Sequence, residues 1–100
     1  MKLNEANEIK QDFIKLKADF EMMGLNNWNR LDLNNRDKLI FNRLCLGVHN
    51  DKQNKYFRLA YRLVLNKHID YNFILLDISY SQLLQILDAA IKYVDMVAFQ

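Results

Sequence analysis

Apolar residues recur along this chain at helical rather than strand spacing. In the first stretch, Ile9, Phe13, Leu16, Phe20 and Met23 follow one another at intervals of four, three, four and three. At 100° per residue they fall on one narrow stripe of the coiled-coil kind, which Ala6 extends. The spacing predicts a first helix over 4–23. Its other faces carry charges of both signs, with Lys15–Asp19 and Lys17–Glu21 placed to pair across one turn. Gly24 stands where a helix-terminating glycine belongs, with Leu25 able to pack back.

Residues 26–35 (NNWNRLDLNN) read as a connection, because Asn tolerates left-handed turns and bonds to its own backbone. A second helix is predicted from Asn34 or Asn35, with Asn34 as cap and Asp37 near the positive helix end. Its body, LIFNRLCLGV at 39–48, is apolar on nearly every side. That marks it as the most buried element. Gly47 either ends it or permits a close crossing, and 49–51 form a short turn.

The third helix is predicted over 51–68 (DKQNKYFRLAYRLVLNKH). Asp51 caps its start, and Lys67 and His68 complement its negative end. Tyr56, Phe57, Ala60, Leu63 and Val64 make its buried side, and Lys55, Arg58 and Arg62 form a stripe opposite. The run over 69–78 (IDYNFILLDI) fits a short buried helix or an irregular turn. The last helix is the best specified. Ser79 and Gln82 form an S-x-x-Q capping box, and Ile78 with Leu83 can form the hydrophobic staple. Leu83, Leu87, Ala90, Ile91, Val94, Val97 and Ala98 then share one face. Asp88, Lys92 and Asp95 lie opposite, spaced to pair with one another. Ala89, Tyr93 and Met96 widen the apolar side, which suits a second packing neighbour or a partner.

Composition agrees with this pattern. The chain has 100 residues, 51% of them hydrophobic and 26% charged, no Pro and only two Gly. Strand-rich folds need many turns, and turns draw on Gly and Pro. The expected fold is therefore all-α: a compact single-domain bundle of four main helices with a short irregular or helical insert before the last. One cysteine, Cys45, permits no internal disulfide. The acid-bearing N-terminus (MKLNEANEIKQDF) lacks the apolar core of a signal peptide, and no apolar run is long enough to span a bilayer. A cytoplasmic protein with no membrane contact is the expectation. Twelve Asn, with many Lys, Ile, Phe and Tyr, fit AT-rich codons and hence an AT-rich bacterium or its phage.

Charge changes the picture more than composition does. Residues 1–29 carry four bases and five acids, residues 30–67 nine bases and three acids, and residues 68–100 one base and four acids. The basic middle third can attract an acidic protein surface or nucleic acid. Lys52, Lys55, Arg58 and Arg62 are its centre, joined by Arg30, Arg36, Lys38 and Arg43. The plain alternative is a wet helix face and nothing more. Trp28, the only Trp, is either an interface anchor beside Arg30 or a lid folded onto the core; Trp and Arg dominate binding hot spots, but the lid is the simpler reading.

Catalytic chemistry has little to build on. Ser79 and Ser81 are explained by capping. Cys45 and His49 share a helix face, but two groups do not make a metal site, and a buried thiol beside a helix end explains them. His68 fits a dipole partner. No glycine-rich phosphate loop, H-E-x-x-H or C-x-x-C occurs. A DNA-binding helix-turn-helix with Gly47 in its turn puts Arg43 where a small residue is wanted, so an αα-hairpin fits better. The functional expectation is a non-enzymatic, cofactor-free protein that binds and occludes a macromolecular partner, as phage or mobile-element inhibitors and immunity proteins do. The candidate contact residues are Lys52, Lys55, Arg58, Arg62, Trp28 and Arg30, and the expected partner is an acidic protein surface. Nucleic-acid binding through the same stripe is the first alternative. A helical homo-oligomer, joined through the first helix or the wide face of the last, is the second.

Overall fold

The computed structural model describes residues 2–44, 48–66 and 78–98. They form four helices, α1 (Leu3–Arg30), α2 (Leu33–Leu44), α3 (Asn50–Leu65) and α4 (Tyr80–Ala98), and no strand appears among them. Cys45, Gly47, Lys67, His68 and the insert over 69–77 lie outside the described residues.

α1 buries the stripe its spacing marks: Ala6, Ile9, Phe13, Leu16 and Phe20 are all in the core, and Met23 is half-buried. It does not end at Gly24. Gly24 adopts φ 82° and ψ 164°, a conformation that side chains with a Cβ avoid. The helix breaks there and resumes for a further turn and a half to Arg30, where a loose connection was expected. A broken helix leaves carbonyls without intrahelical donors. Here Asn27 Nδ2 donates to Met23 O at 2.7 Å, and the Tyr80 hydroxyl donates to Phe20 O at 2.8 Å. The break redirects the chain so that Trp28 turns inward.

α2 starts earlier than its Asn residues suggest, and its cap is Asp32. The Asp32 carboxylate accepts the Asn35 N–H at 2.8 Å, and the Asp32 carbonyl accepts the Arg36 N–H at 3.0 Å. Several residues of this stretch can cap, and Asp32 adds a charge that favours the positive helix end. α2 is not the most buried element. Only Asp37, Ile40 and Leu44 are buried on it, Leu39 and Phe41 are half-buried, and Val48 beyond it is exposed.

α3 begins at Asn50, with Asn50 Oδ1 accepting the Asp51 N–H at 2.9 Å. It ends at Asn66 in the left-handed region (φ 54°), whose N–H returns to Arg62 O at 2.8 Å. α4 opens on the expected capping box. Ser79 Oγ accepts the Gln82 N–H at 3.1 Å, while Gln82 Oε1 accepts the Ser79 N–H at 2.9 Å. Ile78 and Leu83 are both fully buried beside it, consistent with a staple. Its core face is Leu83, Ile86, Leu87, Ala90 and Val94; Ile91, Val97 and Ala98 are only half-buried.

Cross-helix pairs fix the directions. Lys10 reaches Asp95 at 3.0 Å and Lys17 reaches Asp88 at 2.7 Å, so two turns up α1 match two turns down α4. Arg36 meets Trp28 and Arg43 meets Asp19, which sets α2 antiparallel to α1. His49 contacts Glu8, and Gln53 contacts Asp12, which sets α3 parallel to α1. The result is an up-down-up-down bundle whose core lies between α1, α3 and α4. A radius of gyration of 13.1 Å is that of a compact chain of this length.

Candidate partner-binding surface

The charges separate into those engaged within the fold and those left over. α1 has two charged flanks. On one, Lys10 and Lys17 pair with Asp95 and Asp88 of α4. Asp88 raises the Lys17 ammonium above its ordinary value. On the other flank, acids of α1 meet the basic middle of the chain. Lys52 pairs with Glu5 and holds its carboxyl below the usual carboxylate range. His49 lies between Glu8, 2.5 Å from Nε2, and Glu5, 3.5 Å from Nδ1. Arg43 pairs with Asp19. Gln53 Nε2 donates to Asp12 at 2.7 Å.

Much of the basic centre is therefore turned inward. Lys52 is held by Glu5. Arg58 lays its guanidinium 5.7 Å from the Phe41 ring centroid, a cation–π distance. It leans on α2 instead of projecting freely. Lys55 and Arg62 are exposed on the outward side of α3, and no ion pair holds either among the described residues. Arg30 is exposed on the last turn of α1, a different helix from the other four. The stripe of Lys55, Arg58 and Arg62 is thus two free cations flanking a third that packs on its neighbour.

Trp28 does not take the exposed position an interface anchor needs. It is 0% exposed, edge-on to Phe20 with centroids 5.7 Å apart. The Arg36 guanidinium covers its ring at 5.2 Å and Arg36 Nε donates to its carbonyl at 3.2 Å. Its Nε1–H is buried with no acceptor among the described residues. The kink at Gly24 is what sends it there.

Two clefts among the described residues bear on binding. The larger, about 450 Å³, lies where α1 meets Arg43, Leu44 and Gln53. Its polar rim is the Asp12–Gln53 and Asp19–Arg43 contacts already described, so those groups face each other. The smaller, about 370 Å³, is a groove between α3 and α4 lined by Leu59, Ala60, Leu63, Ala89 and Tyr93, with Arg62 and Asn66 at its edge. Tyr93 also packs on the buried Tyr56 of α3, with ring centroids 5.3 Å apart. Burial raises the Tyr56 phenol above its ordinary value.

This groove is what helical periodicity alone misses. Leu63 was placed on the core face, yet it is 75% exposed. The signal was in the width of the pattern. From Leu59 through Tyr56 and Phe57 to Leu65, apolar residues cover roughly 240° of the α3 wheel, more than one packing layer can bury. Ala89 and Tyr93 carry the matching excess on α4. The buried centre of α3 is instead Gln53, Tyr56, Phe57, Ala60 and Tyr61.

Among the described residues, no group of three His, Cys, Asp or Glu side chains could hold a metal ion, and no helix is long and apolar enough to cross a membrane. No family model, curated protein or solved structure matches the chain.

Proposed function

We propose that this chain is a small non-enzymatic binding protein that docks an acidic protein surface on the outward side of α3. The observation that carries the reading is the pairing state of Lys55 and Arg62. Of the other cations of α2 and α3, Lys52 is engaged by Glu5, Arg43 by Asp19, and Arg36 and Arg58 by aromatic rings, while Lys38 and, at the end of α1, Arg30 are exposed away from α3. Lys55 and Arg62 are left in solvent, Arg62 at the edge of an apolar groove and Lys55 one helical turn before Leu59 of its wall. Cations next to exposed apolar surface suit a protein partner, whose contacts combine a hydrophobic centre with a polar rim. Phosphate backbones favour many clustered Lys and Arg, and the intramolecular pairs thin out that cluster here. Occlusion follows directly from such docking, because a partner's acidic surface would be covered by a folded domain. That is the action of an inhibitor or an immunity protein. A homodimer through the α1 stripe is disfavoured, since that stripe is already buried in the chain's own core.

The test is site-specific photo-crosslinking in the native host, from position 63 and, as control, from the exposed Met22. The expected result is one discrete crosslinked protein from position 63 and none from position 22. Reversing Lys55 and Arg62 to Glu together should weaken capture about tenfold, since each rim contact is worth at most about 1 kcal/mol. Equal capture from both positions, or capture indifferent to the reversal, rejects the surface. Binding to duplex or single-stranded probes that falls steeply with salt would replace this reading with nucleic-acid recognition.

A further inference from the structure

We infer that the partner presents an amphipathic helix with acidic flanks, and that its apolar edge lies in the α3–α4 groove. The inference rests on the docking reading above and names the shape and chemistry of what docks. The groove has the form a helix needs. Leu59 and Leu63 project one turn apart from α3, and Ala89 and Tyr93 project one turn apart from α4. Two antiparallel ridges with this spacing leave a furrow along the helix axes. An entering helix can place residues spaced i, i+3, i+4 and i+7 there. Ala89 keeps the α4 wall low, and Tyr93 lines the same wall one turn further on.

Arg62 edges the groove on α3, and the helical wheel sets a second cation, Lys92, next to its α4 wall. On α4, Lys92 sits between Asp88 and Asp95 in sequence and was expected to pair with them. Those acids turn instead to Lys17 and Lys10 of α1, at 2.7 and 3.0 Å. Lys92 is left exposed, with no ion pair among the described residues. On the α4 wheel it lies beside Ala89 and Met96, on the solvent side of the groove. On α3, the neighbours of Arg62 one turn away are Arg58 and Asn66, so its own helix offers no carboxylate. An apolar strip between Arg62 and Lys92 is complementary to a helix whose apolar edge is bordered by Glu or Asp on both sides. A second copy of this chain fits poorly. Every acid of α1 and α4 already contacts a group of the fold.

The experiment uses three fluorescein-labelled peptides of about five helical turns each. The first has a Leu/Ala stripe flanked by Glu, the second the same stripe flanked by Lys, and the third the first peptide's composition scrambled. Fluorescence anisotropy against the full chain should give saturable binding of the Glu peptide. The other two should bind about tenfold or more weakly. Leu63→Asp should weaken the Glu peptide about tenfold, as should Arg62→Glu with Lys92→Glu, whereas Met22→Asp should not. All four positions are exposed, so the fold should survive, and circular dichroism verifies that. Three peptides binding alike, or a Glu peptide indifferent to both groove variants, overturns the inference. A host protein crosslinked from position 63 in a Lys55- and Arg62-dependent way, with no preference for the Glu peptide, rejects a helical ligand while leaving the docking surface standing. Loss of both results removes both.

Discussion

Replacing Gly24 by Ala tests the kink that places Trp28, and two pictures of α1 predict opposite signs. If α1 ran unbroken from Leu3 to Arg30, Ala in its interior would beat Gly by about 1 kcal/mol. The observed φ of 82° and ψ of 164° reverse this. Such a conformation costs a residue with a Cβ about 1–3 kcal/mol. A Cβ at this position meets nothing within 4 Å, so no steric clash adds to the backbone term. Stiffening of the unfolded chain returns about 0.4–1 kcal/mol. The net expectation is a loss of between about zero and about 2.6 kcal/mol. For a domain of this size each kcal/mol shifts Tm by roughly 4–8 °C, so a mid-range loss is readily measured. Urea unfolding followed by far-UV circular dichroism and by Trp28 fluorescence reads it, with an unchanged m-value showing that only stability moved. A rise in midpoint for the Ala variant would mean the helix is continuous in solution and that Trp28 reaches the core by another route.

Other expectations follow from the same geometry. Leu87→Ala, at a position with 0% exposure, should cost about 2–5 kcal/mol, while Leu63→Ala, at 75% exposure, should cost less than about 1 kcal/mol. Equal losses in chemical denaturation would show that the groove is closed. Ser79→Ala removes the acceptor for the Gln82 N–H and should lower stability by about 1 kcal/mol; an unchanged midpoint would show that the α4 cap contributes nothing. Lys17 is raised above 10.5 by Asp88, and Tyr56 is raised above 10.0 by burial. A raised group lends stability that is complete below its unfolded value and is lost as pH rises through its folded one. Stability should therefore fall above about pH 10, less steeply in Lys17→Met with Tyr56→Phe. Glu5 works in the other direction. Its carboxyl is lowered below 4.5 by Lys52, so its contribution is present above that value and lost as pH falls through the folded one. Lys52→Met should flatten the acid limb, and an unaltered limb would count against the pair.

What the sequence discloses is what depends on near neighbours. The capping box of α4 is readable because Ser79 and Gln82 satisfy each other within one turn. The α1 stripe is readable because a narrow apolar face has only one way to be buried. Leu63 is different. A wheel gives directions around one helix, but not how many neighbours surround it, and α3 has more apolar face than neighbours. Ile86 shows the converse, as a residue beside the expected face that is fully buried in the core. The charge pairs are misread for a related reason. Sequence offers the i,i+4 partner, but Lys17 stands 2.7 Å from Asp88 and 3.9 Å from Glu21. Asp19 likewise turns from Lys15 to Arg43. Those exchanges across helices decide which cations remain for a partner, and only the assembled bundle displays them. Trp28 belongs with them, because its direction depends on Gly24 taking a conformation that an ordinary helix-terminating glycine does not.

Docking on α3 requires an apolar furrow that stays open to water between α3 and α4. Relaxation of methyl signals by a soluble paramagnetic agent reads this directly. The Leu63 methyls should broaden nearly as strongly as that of Met22, which is 87% exposed, while those of the fully buried Leu87 should remain sharp. Leu63 signals as sharp as those of Leu87 would contradict the account.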